Sequence, residues 1–409
     1  MSRHDVWVRP LEVAARERAR RSFATRRVPP EAMRTLVGGA VRPRSGDVVL
    51  AKVERLGQHR RIEQPNGRRS ALHLDDTLVV AYADRYATDQ FESHVPDTLG
   101  PTQLVASGGI ASSMISRSRD VRNATDIMPL GLVGDERGRP LNVADFALEP
   151  PPSPEHRPRT IAVLGTSMNS GKTTTIHAIV HGLSRAGTQP GATKVTGTGS
   201  GGDYWVMIDA GAHRMLDFTD VGLASTYRQS MPVIERKFRE LVDHLTVSGA
   251  QVNLVEVADG IYQRETAPLI QAQIFRSTVD AIVFAAGDAM GAAAGVAHLR
   301  SLDLNVVAVA GRITRSPLSV REAEAATGLP VLTLPQLGDP ASISDVLGLD
   351  SALLRTPGVA PPPAWPISVP GLEGSAAEPN VTTDDIDWPV EDEFILSNEV
   401  AVIEMTDQR

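Results

Sequence analysis

The residues best suited to chemistry lie between positions 165 and 175, where Gly165 and Gly171 bracket five residues and Lys172, Thr173 and Thr174 follow. Glycines at both ends let the backbone turn and approach an anion closely, so that successive N–H groups and the positive end of a helix point at a polyphosphate. Lys172 would reach the β- and γ-oxygens as a point charge, and the Thr173 hydroxyl would complete a Mg²⁺ shell that otherwise keeps waters. Thr166, Asn169, Ser170 and Thr174 complete the expected nucleotide-binding set with Gly165, Gly171, Lys172 and Thr173. The common phosphate loop has four residues between its glycines, so one extra residue must be accommodated here.

Such a loop works only between a buried strand and a helix, and the flanking sequence has both patterns. Residues 160–164 (Thr-Ile-Ala-Val-Leu) are apolar and rich in β-branched side chains, while Ile176, Ala178, Ile179, Val180 and Leu183 recur at helical spacing to about residue 186. A second strand over 190–195 runs into the glycine-rich stretch 197–202, and the carboxyl end of a strand is where open α/β sheets take ligands. Asp203, Asp209, Asp217 and Asp220 follow, and Asp203 is the one expected to join the metal shell through water or to sense a γ-phosphate. A helix over 234–245 precedes the apolar strand 251–256, which ends in Glu256; an acid in that place can bind the metal or its waters opposite the phosphate loop. Strands over 279–286, 305–310 and 330–334 alternate with helices to about residue 302 and over 319–327. The expected fold class is α/β, a parallel-sheet P-loop NTPase domain over 159–345.

The loop resembles that of dethiobiotin synthetase and its relatives, which share Gly-Thr-x-x-x-x-Gly-Lys-Thr. The resemblance covers about residues 159–337. In that family a later strand ends in Lys-Pro-Val-x-Thr-Gly, and Lys194-Val195-Thr196-Gly197 is similar to a shortened version, which implies that Lys194 faces the substrate or the γ-phosphate. The family's Val-Glu-Gly-Ala-Gly-Gly is matched by residues 255–260 with Val257 and Asp259 in place of two glycines. That implies Glu256 as the metal-side acid and Asp259 as a second acid that contacts substrate. The family's reaction implies an enzyme requiring ATP and Mg²⁺ that activates a small carboxylate or carbamate by phosphoryl transfer, with Lys172, Lys194 and Asp259 as catalytic residues. ATP is preferred over GTP because no Asn-Lys-x-Asp follows the strand 305–310. Two alternatives stay open: a nucleotide-gated regulator acting on a protein partner, and an acyltransferase on the same fold, since some proteins resembling 258–260 and 322–331 are linked to amino-acid N-acylation. Partition-type ATPases carry a lysine where Thr166 stands, which disfavours that kind of regulator.

The rest of the chain is read from composition and period. A small β-rich domain is expected over 46–149, with strands over 47–53, 60–64, 70–73, 77–82, 130–133 and 143–146 and an Asn66-Gly67 hairpin turn. Residues 85–92 interleave charges and aromatics and form a loop that either reads a ligand or packs on the nucleotide domain. Residues 1–45 are rich in arginine, with helices over 10–22 and 31–37, and a proline-rich linker spans 150–158. A proline-rich, acidic tail covers 356–409, where Trp365, Trp388, Phe394 and Ile395 would dock on the basic N-terminal region or on the second subunit of a homodimer. The net charge of −8 argues against nucleic-acid binding by the whole chain, and the absence of cysteine excludes disulfides and thiolate sites. No apolar run is long enough for a membrane span or signal core, so a cytoplasmic protein is expected, and the resemblance implies a small acidic substrate. His177 and His181, four residues apart, read as surface or packing side chains, and Arg264 as a ligand for an anionic group.

Overall fold

The computed structural model describes residues 5–350. The acidic tail 356–409, with its four aromatic and apolar anchors, lies outside the described residues. The chain is mixed α/β with several sheets, one of them wholly parallel.

That parallel sheet has six strands in the spatial order Arg214–Asp217, Pro190–Lys194, Val252–Glu256, Arg159–Gly165, Ala281–Ala285 and Val306–Ala310. Alternate residues of its central strands enter two cores. Ala162, Leu164, Val255 and Phe284 join the helix Met231–Val247 through Phe238 and Leu241. Ile161, Val163, Leu254 and Val283 join the helix Lys172–Arg185 through Ile176, Ile179 and Leu183. A sheet covered on both faces needs apolar side chains at every strand position, which is why these strands read as unbroken apolar runs.

The sheet's edge departs from the sequence reading. Residues 330–334 form no strand: Val331 makes one isolated bridge to Val309, and a short helix, Leu334–Leu337, begins at once. The prolines at 330 and 335 explain this, since neither can donate to a ladder.

A ten-stranded sheet holds the first part of the chain. Within it Thr125–Gly134 pairs with Val48–Arg55, which pairs with Thr77–Tyr82, which pairs with Ile110–Arg117; Thr102–Ala106 then pairs with both Ile110–Arg117 and Thr125–Gly134. Those five pairings close a small barrel, which removes the exposed edges an open sheet would present. Arg61–Glu63 and Arg69–Ala71 make a separate hairpin across the Asn66-Gly67 turn, where Gly67 takes φ +85.

The basic N-terminal segment is less helical than its pattern predicts. Its helix is only Val13–Arg18, and residues 31–37 yield a 3₁₀ turn and then the strand Thr35–Gly38. Thr35, Leu36 and Val37 lie between Trp7–Pro10 and Thr125–Gly134, and that pairing overrides helix propensity. Residues 143–146 are a 3₁₀ turn capped by Asn142 instead of a strand. The described residues belong to one compact unit, and the linker's Arg157 docks on Asp243 of the helix Met231–Val247. Among the described residues no helix is long and apolar enough to cross a membrane.

Candidate functional site

The strand Arg159–Gly165 ends at the carboxyl edge of the parallel sheet, and the chain returns as a helix at Lys172. Between them the loop is set by close backbone packing. A Cβ on Gly260 would stand 2.4 Å from the Thr166 carbonyl oxygen, and one on Gly311 would stand 2.2 Å from that of Ser170. Gly171, at φ +100, approaches Gly311 so closely that a Cβ would meet its Cα at 2.8 Å. Asn169 also takes a left-handed conformation, φ +58, which asparagine tolerates better than most residues. The added residue is therefore taken up in a loop gripped from both sides, by residues near 260 and near 311.

Loop carbonyls and loop amides are used differently. Thr166 N donates to Ala285 O, and Ser170 O accepts from Arg312 N. The backbone N–H groups of residues 167–171 find no acceptor among the described residues. The Ser170 hydroxyl is buried without a partner as well. Together with the positive end of the 14-residue helix that begins at Lys172, this is a donor set matched to a polyphosphate. Lys172 is 5% exposed and its Nζ donates to Ser167 O at 2.7 Å, so it lies across the loop. Burial lowers its pKa, opposed by Glu256 and Asp259. Thr174 is exposed on the first helical turn and makes no side-chain bond among the described residues.

Next to the loop the structure brings together Thr173, Lys194, Asp203 and Glu256. Thr173 Oγ1 lies 3.1 Å from Glu256 Oε1 and 3.5 Å from Asp203 Oδ1. Lys194 Nζ is ion-paired to Asp203 and lies 3.8 Å from Glu256 Oε1. The sheet register explains the meeting, because Lys194 pairs with Glu256 on one side and Asp217 on the other, all at strand ends. Burial alone would lower Lys194, but Asp203 and Glu256 outweigh it and hold the ammonium well above its usual pKa. Burial would raise Asp203, but Lys194 pulls it below the usual carboxylate range. Glu256, 3% exposed, stays raised because burial and the neighbouring Asp203 outweigh Lys194.

Among the described residues no group of three or more His, Asp or Glu can hold a metal by itself. One hydroxyl with two carboxylates is nonetheless the partial oxygen set that Mg²⁺ takes when phosphate and water supply the remainder. The donor set therefore fits Mg²⁺ at Thr173, Glu256 and Asp203.

Asp259 faces the same centre. Burial raises its pKa against the pull of Lys172, Lys194 and Arg85. Arg85 comes from the ten-stranded sheet, which is antiparallel but for two parallel pairings and forms the antiparallel layer of the molecule; its hairpin also reaches the loop itself, where Asn169 Nδ2 donates to Asp89 Oδ2 at 2.9 Å.

The structure also places the other residues that the sequence singles out. Arg264 is 71% exposed and lies beside Glu265 at 3.9 Å, and His177 and His181 stack on one another at 6.2 Å. Arg26 is no part of a basic surface patch. It is buried against Asp217 and Asp220 at 3.3 and 2.7 Å, and the two acids more than offset burial and raise its pKa. Glu63 likewise crosses between layers, accepting from Gly201 N at 2.6 Å at the start of the helix Gly201–Asp209. Arg26, Glu63 and Asp89 escape motif reading because each bonds across 80 or more residues of sequence; only the mixture of charge and aromatics over 85–92 marks Arg85 and Asp89. A cavity of about 220 Å³ lined by Arg42, Arg44, Asp84, Asp97 and Arg228 includes no residue of the phosphate loop.

No protein family and no curated protein matches the chain. Solved structures similar to it include a DUF1611 family protein from Anabaena variabilis, 15% identical over 49% of this chain and 63% of that one, with TM-score 0.35. The chain thus spans less than two thirds of that protein. Another is the signal recognition particle receptor FtsY from Elizabethkingia anophelis in complex with GDP, 13% identical over 50% of this chain and 69% of that one, with TM-score 0.32. The resemblance to dethiobiotin synthetase rests on the sequence motifs alone.

Proposed function

We propose that the chain is a P-loop enzyme that uses ATP and Mg²⁺ to activate a small carboxylate or carbamate by phosphoryl transfer. The observation that carries this reading is the meeting of Thr173, Lys194, Asp203 and Glu256 beside five loop N–H groups that find no acceptor among the described residues. The loop amides and Lys172 would bind the transferring phosphoryl group, whose charge they are placed to stabilise without rearrangement. Thr173, Glu256 and Asp203 would hold Mg²⁺, which supplies charge neutralisation at the phosphate oxygens. Lys194, paired to Asp203 and 3.8 Å from Glu256, would turn to the phosphoryl group or the acceptor when those carboxylates are taken up by a metal. Asp259, whose pKa burial raises, would contact the acceptor.

Lys172→Ala tests the reading: Mg²⁺-dependent ATP turnover, measured as ADP release with a panel of small carboxylates, should be abolished. Turnover close to that of the unaltered chain would refute the assignment. The Asn169–Asp89 bond favours one second reading, a nucleotide-gated regulator in which the antiparallel layer senses the loop's state. Slow ATP or GTP hydrolysis accelerated by a protein partner and indifferent to small acids would support it.

A further inference from the structure

Arg85 lies in the strand Arg85–Tyr86 and is 7% exposed. A buried guanidinium is normally satisfied by an acid, because five donors and a full charge are costly to remove from water. Here no carboxylate is in ion-pair contact with it among the described residues, and its side-chain partners are Gln90 Oε1 at 2.9 Å and His59 Nε2 at 3.2 Å.

The histidine is a poor acceptor. His59 Nε2 also lies 2.8 Å from Val105 O, and a carbonyl only accepts, so the ring must keep its hydrogen on Nε2 and has no lone pair there for Arg85. Burial and the Arg85 charge hold His59 down to about 3, so it remains neutral. Arg85 Nε has no hydrogen-bond partner among the described residues. The guanidinium is nevertheless held in place, with Phe91 beneath it at 5.8 Å and Gln90 at its edge. Desolvation lowers it to about 10, with Asp89 and Asp259 acting on it from a distance. The same hairpin is tied to the phosphate loop through Asp89 and Asn169, and Asp259 interacts with Arg85 and with Lys172 and Lys194.

We propose that Arg85 is the substrate-binding cation of this site and takes a carboxylate of the acceptor molecule. This rests on the phosphoryl-transfer reading for the word acceptor, and the anion site itself rests only on the residues around Arg85. A planar guanidinium with free donors suits a planar carboxylate in two-point contact. Asp89 and Asp259 nearby favour a singly charged group over a phosphate dianion, and phosphate already has the loop amides and Lys172. The antiparallel layer thus supplies the acceptor's half of the site, and the parallel layer the nucleotide's half.

The test is calorimetric titration of the full chain with acetate, succinate, glutarate and inorganic phosphate, with and without MgADP, for the unaltered protein, Arg85→Gln, Arg85→Lys and Lys172→Ala. At least one carboxylate should bind saturably, and Arg85→Gln should weaken it about tenfold to a hundredfold. Arg85→Lys should recover part of that loss, and MgADP affinity should change less than about twofold in both, since a carboxylate subsite is not a nucleotide contact. Lys172→Ala should lose MgADP and keep the carboxylate. If the unaltered chain binds a carboxylate but not MgADP, the nucleotide reading fails and the anion site stands. Equal carboxylate binding by Arg85→Gln, a loss confined to MgADP or phosphate, or no carboxylate binding to the unaltered chain overturns the proposal. So does failure of both Arg85 variants to fold, which would make the residue part of the core.

Discussion

Glu256→Gln separates a metal-side acid from a structural one. The change keeps the shape of the side chain and leaves Lys194 paired with Asp203, so no buried ammonium is orphaned. At 3.8 Å the lost attraction to Lys194 is about 4 kcal/mol at an effective dielectric of 20. Against it stand the removal of Glu256's desolvation, several kcal/mol per buried ion, and relief of repulsion from Asp203. Because Glu256 is held above its ordinary pKa of 4.5, burial and repulsion win, and the variant should be as stable as the parent or up to about 2 kcal/mol more so.

Nucleotide linkage should move the other way. At a MgADP concentration of about 100 Kd the parent gains about 2.7 kcal/mol, and a hundredfold weaker site gains only about 0.4 kcal/mol at the same concentration. With an unfolding entropy near 0.8 kcal/mol/K for a chain of this size, the Tm shift on adding MgADP is about 3 °C for the parent and about 0.5 °C for the variant. The pH dependence follows in sign. A raised Glu256 loses its proton at higher pH than an ordinary glutamate, so Mg²⁺ affinity in the parent should still climb with pH above 4.5, and in the variant, where Asp259 is the remaining acid with a raised pKa, it should climb less. The same raised pKa subtracts stability as pH rises through that window, an effect the variant lacks. Thermal melts with and without MgADP decide it. A full MgADP shift in Glu256→Gln, or a loss of several degrees without ligand, would refute the reasoning.

Two further outcomes test the scaffold. Arg26→Gln leaves Asp217 buried without its cation and Asp220 with Arg27 alone at 3.8 Å, and should cost about 3–5 kcal/mol by urea denaturation, whereas Arg42→Gln, in a pair 78% and 80% exposed, should cost under about 1 kcal/mol. Equal costs would show that the buried pair contributes no more than a surface one. Gly260→Ala forces a Cβ against the Thr166 carbonyl and should weaken MgADP about tenfold or more; Gly287→Ala, with nothing within 4 Å, is its control, and matching affinities in the two would remove the loop-gripping argument.

What the sequence makes legible follows range. The turn at Gly165 and Gly171 is visible because an apolar strand, a small-residue loop and a helical period lie consecutively. The strand ending at Glu256 shows for the same local reason. Three local patterns mislead: strand pairing outranks helix propensity at Thr35–Gly38, the Asn142 cap turns residues 143–146 into a 3₁₀ turn, and prolines break residues 330–334. The partners that complete the centre are out of local view. Gly260 and Gly311 look like ordinary turn glycines until the backbone they press against is known. Arg26 and Arg85 sit among arginines of similar appearance, and only the fold sets them apart as buried.

Arg26, Glu63 and Asp89 each cross from the antiparallel layer to the parallel one, to Asp217 and Asp220, to the start of the helix at Gly201, and to Asn169. The parallel-sheet half is therefore not portable. A fragment beginning at residue 151 would keep every loop motif while stranding two buried carboxylates and a helix end, and recombination that swapped the barrel for another would have to replace all three anchors at once. The two halves share one evolutionary fate, although the sequence divides them with a run of prolines.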